Sequence, residues 1–260
     1  MCLPDSIQAY VGDHPYVCDS IGLSGSEIRL YDDMVLKIGP HRPDTLKSVR
    51  MMKWLEGRLP VPRVLCFEED TERQYVLMNR VQGRMACDPY YLSRPQQLIP
   101  LLAEGLKMFW QVGIADCPVH CGLDQELGEA CLRVERGLVD LERAEPDTYG
   151  PGGFRGPKEL LEWLETHRPP CEPALTHGDY CLPNIYLDAD RISGFIDLGN
   201  AGIADKWRDI SLCYRSLKHN CDGTYGRRYP DVDPDQLFSA LGIEPDWEKL
   251  RYYILLDELF

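Results

Sequence analysis

Between residues 175 and 199 the chain carries Leu175-Thr176-His177-Gly178-Asp179-Tyr180-Cys181-Leu182-Pro183-Asn184 and, closing the same stretch, Ile192-Ser193-Gly194-Phe195-Ile196-Asp197-Leu198-Gly199. Asp179 and Asn184 stand five positions apart, and Asp179 and Asp197 eighteen. Eighteen residues accommodate a loop, a strand, a turn and a returning strand that ends at Asp197. The segment therefore predicts two polar loops tied together by one hairpin, and any fold for this chain must present both.

The flanking sequence divides at this scale. Residues 28–31 and 34–38 are short β-rich runs separated by Asp32-Asp33, a hairpin signal. A helix is expected over 44–57, with Leu46, Val49, Met52 and Leu55 on one face. Gly57 closes it, and Leu59-Pro60-Val61-Pro62 prevents continuation. Two more strands follow near 64–68 and 74–78. After Gly83 the apolar spacing becomes helical: Leu98, Leu101, Leu102, Gly105, Leu106 and Phe109 keep helical spacing. Pro157 opens another helix and Asp246 caps a last one. The expected fold class is α+β, two-lobed, with a small β-rich N-lobe over 1–82 and a larger helical C-lobe over 83–260. The crossing falls near 79–83, and ligand clefts favour such junctions.

Protein kinases use His-Arg-Asp with an Asn at the same offset, and a strand ending in Asp-Phe-Gly. In that chemistry the first Asp meets the attacking hydroxyl, and the Asn and second Asp hold metal on the phosphate. Lys37, in Met34-Val35-Leu36-Lys37-Ile38, resembles the strand lysine that reaches the phosphates. Gly22-Leu23-Ser24-Gly25-Ser26 precedes a strand and suits a loop over them. Each part alone has an ordinary reading: a solvated lysine, a plain turn, a strand end, a packed histidine. Their occurrence together, in kinase order, selects the catalytic reading.

Composition narrows the partners. Net charge is −14, from 28 Lys and Arg against 42 Asp and Glu, which excludes nucleic acid as an expected partner and suits a cation. The start has no secretory signal and no apolar run reaches the length that spans a bilayer, so a cytoplasmic location without membrane contact is expected. The eleven cysteines form no framework and read as reduced thiols; zinc at Cys117 and Cys121 lacks a second ligand pair.

At residues 177–186, 193–199 and 201–207, at Trp54-Leu55-Glu56-Gly57-Arg58-Leu59-Pro60-Val61-Pro62, and at the ending Tyr253-Ile254-Leu255-Leu256-Asp257-Glu258-Leu259-Phe260, the chain resembles the aminoglycoside 3′-phosphotransferases. The resemblance implies a protein-kinase-like fold and magnesium-dependent transfer of the ATP γ-phosphoryl group to the 3′-hydroxyl of a cationic aminoglycoside, giving antibiotic resistance. It implies two magnesium ions, with GTP as the alternative nucleoside triphosphate. Position by position it implies Asp179 as the catalytic residue, Asn184 and Asp197 as metal ligands, and Lys37 as the phosphate lysine. Ser24, Gly25 and Ser26 would cover the phosphates, and the main chain of Asn79 and Val81 would meet adenine. Asp257, Glu258 and the terminal carboxylate of Phe260 would receive substrate ammonium groups as three self-repelling charges. Against the family pattern, Ser48 replaces the glutamate that pairs with the lysine, leaving Asp44 as its expected partner. Asn200 replaces an arginine, His219 and Asn220 replace acids, and the loop near 149–156 lacks one. The rival functions are a metabolic kinase of the same fold acting on choline, homoserine or a sugar amine, a nucleotide-binding pseudokinase, and a zinc module.

Overall fold

The computed structural model describes residues 3–19, 26–142 and 144–260. In chain order they form α1 (Asp5–Val11), β1 (Val17–Asp19), β2 (Glu27–Leu30), β3 (Met34–Pro40), α2 (Pro43–Leu55), β4 (Val64–Glu69), β5 (Arg73–Asn79) and β6 (Arg84–Met85). Then follow α3 (Pro89–Leu92), α4 (Pro95–Gln111), α5 (Leu123–Glu135), α6 (Pro157–Thr166), β7 (Pro173–Thr176), β8 (Ile185–Asp188) and β9 (Arg191–Phe195). The chain ends with β10 (Gly202–Asp205), α7 (Lys206–Asp222), α8 (Gln236–Leu241) and α9 (Trp247–Asp257). Single 3-10 turns lie at Leu182–Asn184 and Leu198–Asn200. The class is α+β. None of the described helices is long and apolar enough to cross a membrane.

Two compact units result: Met1–Ala86 with Pro183–Ala201, and Cys87–Leu182 with Gly202–Phe260. In the first, five antiparallel strands run in the order β1-β2-β3-β5-β4. Alternation along β3 sends Met34, Leu36 and Ile38 into a core with Ile7, Val11, Tyr31, Tyr75 and Leu77, and leaves Lys37 on the other face. Each such buried aliphatic side chain stabilises by about 1.5–3 kcal/mol. Helix α2 begins at Pro43, where the missing N–H costs nothing, and buries Val49, Met51, Met52 and Leu55. Leu46, expected on that face, is exposed at the first turn, and Met51 takes its place in the core.

Residues 183–201 join this unit although the whole of Cys87–Leu182 intervenes in the chain. Their hairpin, β8–β9, pairs with β6, and the Phe195 N–H donates to the Pro60 carbonyl at 2.8 Å. Gly194 is required there, because a Cβ would come within 2.5 Å of the Val81 side chain.

In the second unit α4 buries Leu98, Leu102, Leu106 and Phe109. Helix α7 is capped by Asp205, which accepts the Trp207 N–H at 3.0 Å, and α9 by Asp246, which accepts the Lys249 N–H at 3.0 Å. Tyr252 and Tyr253 of α9 donate to the Leu164 carbonyl and to Asp205. The two-stranded sheet β7–β10 delivers the chain to residue 177.

Candidate active site

In the first unit, Lys37 and Asp197 meet: Nζ lies 3.8 Å from Oδ1, with the side chains 34% and 57% exposed. Among the described residues Asp197 is the one carboxylate within ion-pair distance of this lysine. Asp44, the expected partner, instead lies against Gly199: a Cβ there would stand 3.9 Å from Asp44 Cβ. That places Asp44 beside the turn that follows Asp197.

Asp197 itself is left-handed, at φ 59° and ψ 57°, where the chain leaves β9 and enters the 3-10 turn. Asp tolerates this region better than most residues. The register Ile185↔Phe195 puts Asn184 opposite Ile196, and the Ile196 N–H donates to the Asn184 carbonyl at 2.9 Å. Asn184 and Asp197 are thus one step apart across the open end of the hairpin. An amide and a carboxylate are hard oxygen donors of the kind small divalent cations take. Among the described residues no group of three or more His, Cys, Asp or Glu side chains could hold a metal by itself.

The segment after β5 is also fixed. The Asn79 N–H donates to the Arg63 carbonyl at 3.1 Å and its side chain accepts the Arg63 N–H, which leaves the Asn79 N–H no role toward a ligand. The Arg80 N–H goes to the Asp33 carbonyl at 2.7 Å, whereas among the described residues the Val81 N–H makes no backbone bond. Of the expected phosphate loop, Ser24 and Gly25 lie outside the described residues. Ser26 packs against Gly39, whose added Cβ would meet its Oγ at 2.7 Å.

In the second unit the loop after β7 is held from beneath. Asp209, fully buried on α7, accepts the His177 N–H at 2.6 Å and the Gly178 N–H at 2.8 Å. Gly178 has φ 82°, a conformation that favours glycine. His177 is buried edge-on to Phe109 and Tyr180, and its Nδ1 accepts the Asp179 N–H at 3.3 Å. The Asp179 carbonyl accepts the Cys181 N–H, and Ser216 of α7 accepts the Leu182 N–H at 3.0 Å. Asp179 is left half-buried between buried Gly178 and buried Tyr180. Burial, then the Asp179 carboxylate that it bonds, push the Cys181 thiol up, so it stays protonated. Sequence reasoning did not single out Asp209 or Ser216, although Asp209 lies two residues beyond the 201–207 segment.

The C-terminal acids correct the expectation of a self-repelling cluster. Asp257 is ion-paired with Arg215 of α7, and the Phe260 carboxylate accepts from Arg133 of α5, whose Nε also donates to the Leu259 carbonyl. Glu258 Oε1 accepts the Glu145 N–H at 3.1 Å and the Thr148 hydroxyl at 2.9 Å. Glu258 Oε2 is buried without a partner, and burial pushes this carboxyl up. The tail is ordered because two arginines on neighbouring helices and one loop already supply its counter-groups. Sequence reading also missed Glu145, an acid of the 143–156 loop, bonded to His219 at 3.1 Å.

A family model described as phosphotransferase enzyme family matches residues 20–253. An aminoglycoside 3′-phosphotransferase of Enterococcus faecalis is 40% identical over 220 residues, 84% of this chain and 79% of the relative. The solved structure of aminoglycoside-3′-phosphotransferase of type VIII superposes with a TM-score of 0.79 at 26% identity, covering 98% of both chains. Aminoglycoside phosphotransferase APH(3″)-Id from Streptomyces rimosus, solved with ADP and streptomycin, gives a TM-score of 0.78 at 24% identity over 98% of this chain and 96% of that one, a likeness of fold.

Proposed function

The chain belongs to the phosphotransferase enzyme family, and from that membership we propose that it transfers the γ-phosphoryl group of ATP to a hydroxyl, the 3′ one, of an aminoglycoside, giving resistance to it. The observation that carries the reading is the meeting of Lys37 with Asp197 while Asn184 is tied one register step away. An ammonium, a carboxylate and an amide so arranged suit a triphosphate and its cation.

Each residue then has a role. Lys37 binds phosphate oxygens, and the pull of Asp197 keeps its ammonium on the sheet face away from the core. Asn184 and Asp197 would hold magnesium, with phosphate oxygens completing a set that the protein does not complete alone. Bound there, magnesium would draw charge off the phosphate during transfer. The adenine would meet the Asn79 carbonyl and the Val81 N–H, and Ser24, Gly25 and Ser26 would cover the phosphates. Asp179 would accept or orient the proton of the attacking hydroxyl, its backbone fixed through His177, Gly178 and Asp209. Positioning of this kind supplies most of the rate in phosphoryl transfer.

On the acceptor side, Asp257 and the Phe260 carboxylate would take ammonium groups beside the guanidinium each already holds, and Glu258 would contribute through the loop it anchors. Those internal arginines also favour a second reading, a metabolic kinase of the same fold whose small acceptor, such as choline, homoserine or a sugar amine, carries one cationic group rather than several. Nucleotide consumption with ATP or GTP, measured against aminoglycosides and small amino alcohols with and without magnesium, separates the two. Product mapping by NMR should place the phosphate on the 3′-oxygen. Turnover of choline or homoserine, with none for any aminoglycoside, would overturn the first reading.

A further inference from the structure

We infer that His219 determines which aminoglycosides this chain accepts, by occupying a carboxylate, that of Glu145, which an ammonium group of the substrate would otherwise take. The inference rests on the aminoglycoside reading above. His219 Nε2 lies 3.1 Å from Glu145 Oε1 in ion-pair geometry and 3.2 Å from Oε2 in hydrogen-bond geometry. The two side chains are only 14% and 19% exposed. Both oxygens are therefore engaged by one ring nitrogen, in a setting that screens little.

Glu145 is well placed to receive a ligand. Its N–H is bonded to Glu258, as is the Thr148 hydroxyl, so the loop bearing it is fixed to the end of α9. A cavity of about 190 Å³ opens beside it, with Glu145 and His219 in its wall. The other charges there are unfavourable to a cation. Arg215 holds Asp257, exposed Lys218 and Arg251 line the cavity, and Asp147 is the remaining exposed acid. From α7 and the turn after it, Asp222 acts on the imidazole and the Tyr225 ring stands edge-on at 5.7 Å. The imidazole bonded to it holds the Glu145 carboxyl below the usual carboxylate range, so Glu145 is ionised across the neutral range.

An ammonium group entering this cavity meets a carboxylate already shared with His219 and two nearby cations. A hydroxyl at the same substrate position needs no full countercharge and loses little. His219 thus shifts selection from amine toward hydroxyl, because its ring nitrogen already holds the carboxylate that the amine needs.

The test uses pairs of aminoglycosides that differ only in carrying an amine or a hydroxyl at one ring position, with several positions represented. For each pair the amine-to-hydroxyl ratio of kcat/KM is measured. In His219→Ala the ratio should rise three- to tenfold at one position or more, through KM, with kcat for the hydroxyl form unchanged. His219→Ala with Glu145→Gln should return it to the wild-type ratio. His219→Gln keeps a neutral donor toward Glu145; its amine-to-hydroxyl ratio should rise above wild type but less than in His219→Ala, and this variant decides the matter should His219→Ala not fold. A ratio unmoved in His219→Ala at every position, or raised equally when Glu145 is also replaced, overturns the inference. Wild-type enzyme that phosphorylates neither member of any pair instead removes the aminoglycoside reading itself.

Discussion

Asp197 carries its carboxylate on a left-handed backbone, and that choice separates two effects that mutation usually confounds. Replacing it by Ala removes the charge and also puts a residue that avoids this region there, at about 1–2 kcal/mol. Asn keeps a side chain that tolerates the conformation. Asp197→Asn should therefore lose tenfold or more of nucleotide affinity in magnesium while its melting temperature stays near wild type. Asp197→Ala should lose the same affinity and melt several degrees lower. Its pair with Lys37 is half exposed and 3.8 Å long, worth roughly 0–1 kcal/mol, so it does not rescue the loss. Fluorescence titration of nucleotide with and without magnesium, beside thermal melts, checks both; unchanged affinity in Asp197→Asn removes the metal role. At this scale the sequence was informative where a residue's neighbours along the chain define its job, as with Asp179, Asn184 and Asp197. It was not informative about partners. Nothing in the spacing of Asp257, Glu258 and Phe260 shows that Arg215, Thr148 and Arg133 face them, because those contacts span 42 to 127 residues.

Helix α7 shows why some elements escape a reading by apolar period. α4, α6 and α9 announce themselves through Leu and Phe on one face and Pro or Asp at the start. The buried face of α7 includes Asp209, Ser211 and Ser216, polar residues that an amphipathic pattern assigns to solvent. Asp209 and Ser216 are buried because they hold other backbone, Asp209 the N–H groups of His177 and Gly178 and Ser216 that of Leu182, while the Ser211 hydroxyl donates to the Trp207 carbonyl of its own helix. Burial pushes the Asp209 carboxyl up, and those donors together with His177 and Arg208 oppose the shift. Asp209→Ala should orphan two buried N–H groups at about 1–3 kcal/mol each and free the loop that carries Asp179. The urea midpoint should fall, and kcat should drop at least tenfold in the protein that remains folded. Asp209→Asn, with one oxygen left to accept, should fall between the two. An alanine variant with wild-type stability and turnover would show that β7 alone fixes the loop.

For the molecule as a whole, order along the chain was a poor guide to which segments pack together. A strand-rich beginning and a helix-rich remainder were legible from period, yet the return of 183–201 to the first unit is a matter of β6–β8 pairing, and a two-residue strand at 84–85 carries no periodic signal. The same holds for Glu172, which sits before β7 in a run of Pro and Cys and reads as loop. In the fold it joins three elements of the second unit. Its carboxylate takes Lys206 and the Trp207 indole N–H at the start of α7, and Lys249 in α9, with the Lys206 bond at 2.6 Å. The Lys206 hydrogen bond first, then that of Lys249, pull the Glu172 carboxyl down to about 2 from an ordinary 4.5. The sign follows from linkage: a depressed carboxylate adds stability above its unfolded pKa and loses it as pH falls toward the folded one. The Glu172 side chain is 48% exposed, so solvent screens the pairs and each is worth roughly 0–1 kcal/mol, well below what the shift taken at face value implies. Glu172→Gln should melt a few degrees below wild type at pH 7. That gap should hold down to about pH 5 and narrow steadily toward pH 3, because the wild type protonates its unfolded form there and the variant does not. Thermal melts of both proteins from pH 7 to pH 3 give the two curves, and a gap that stays constant through the acid limb would mean that Glu172 stabilises by packing and neutral hydrogen bonding rather than by charge.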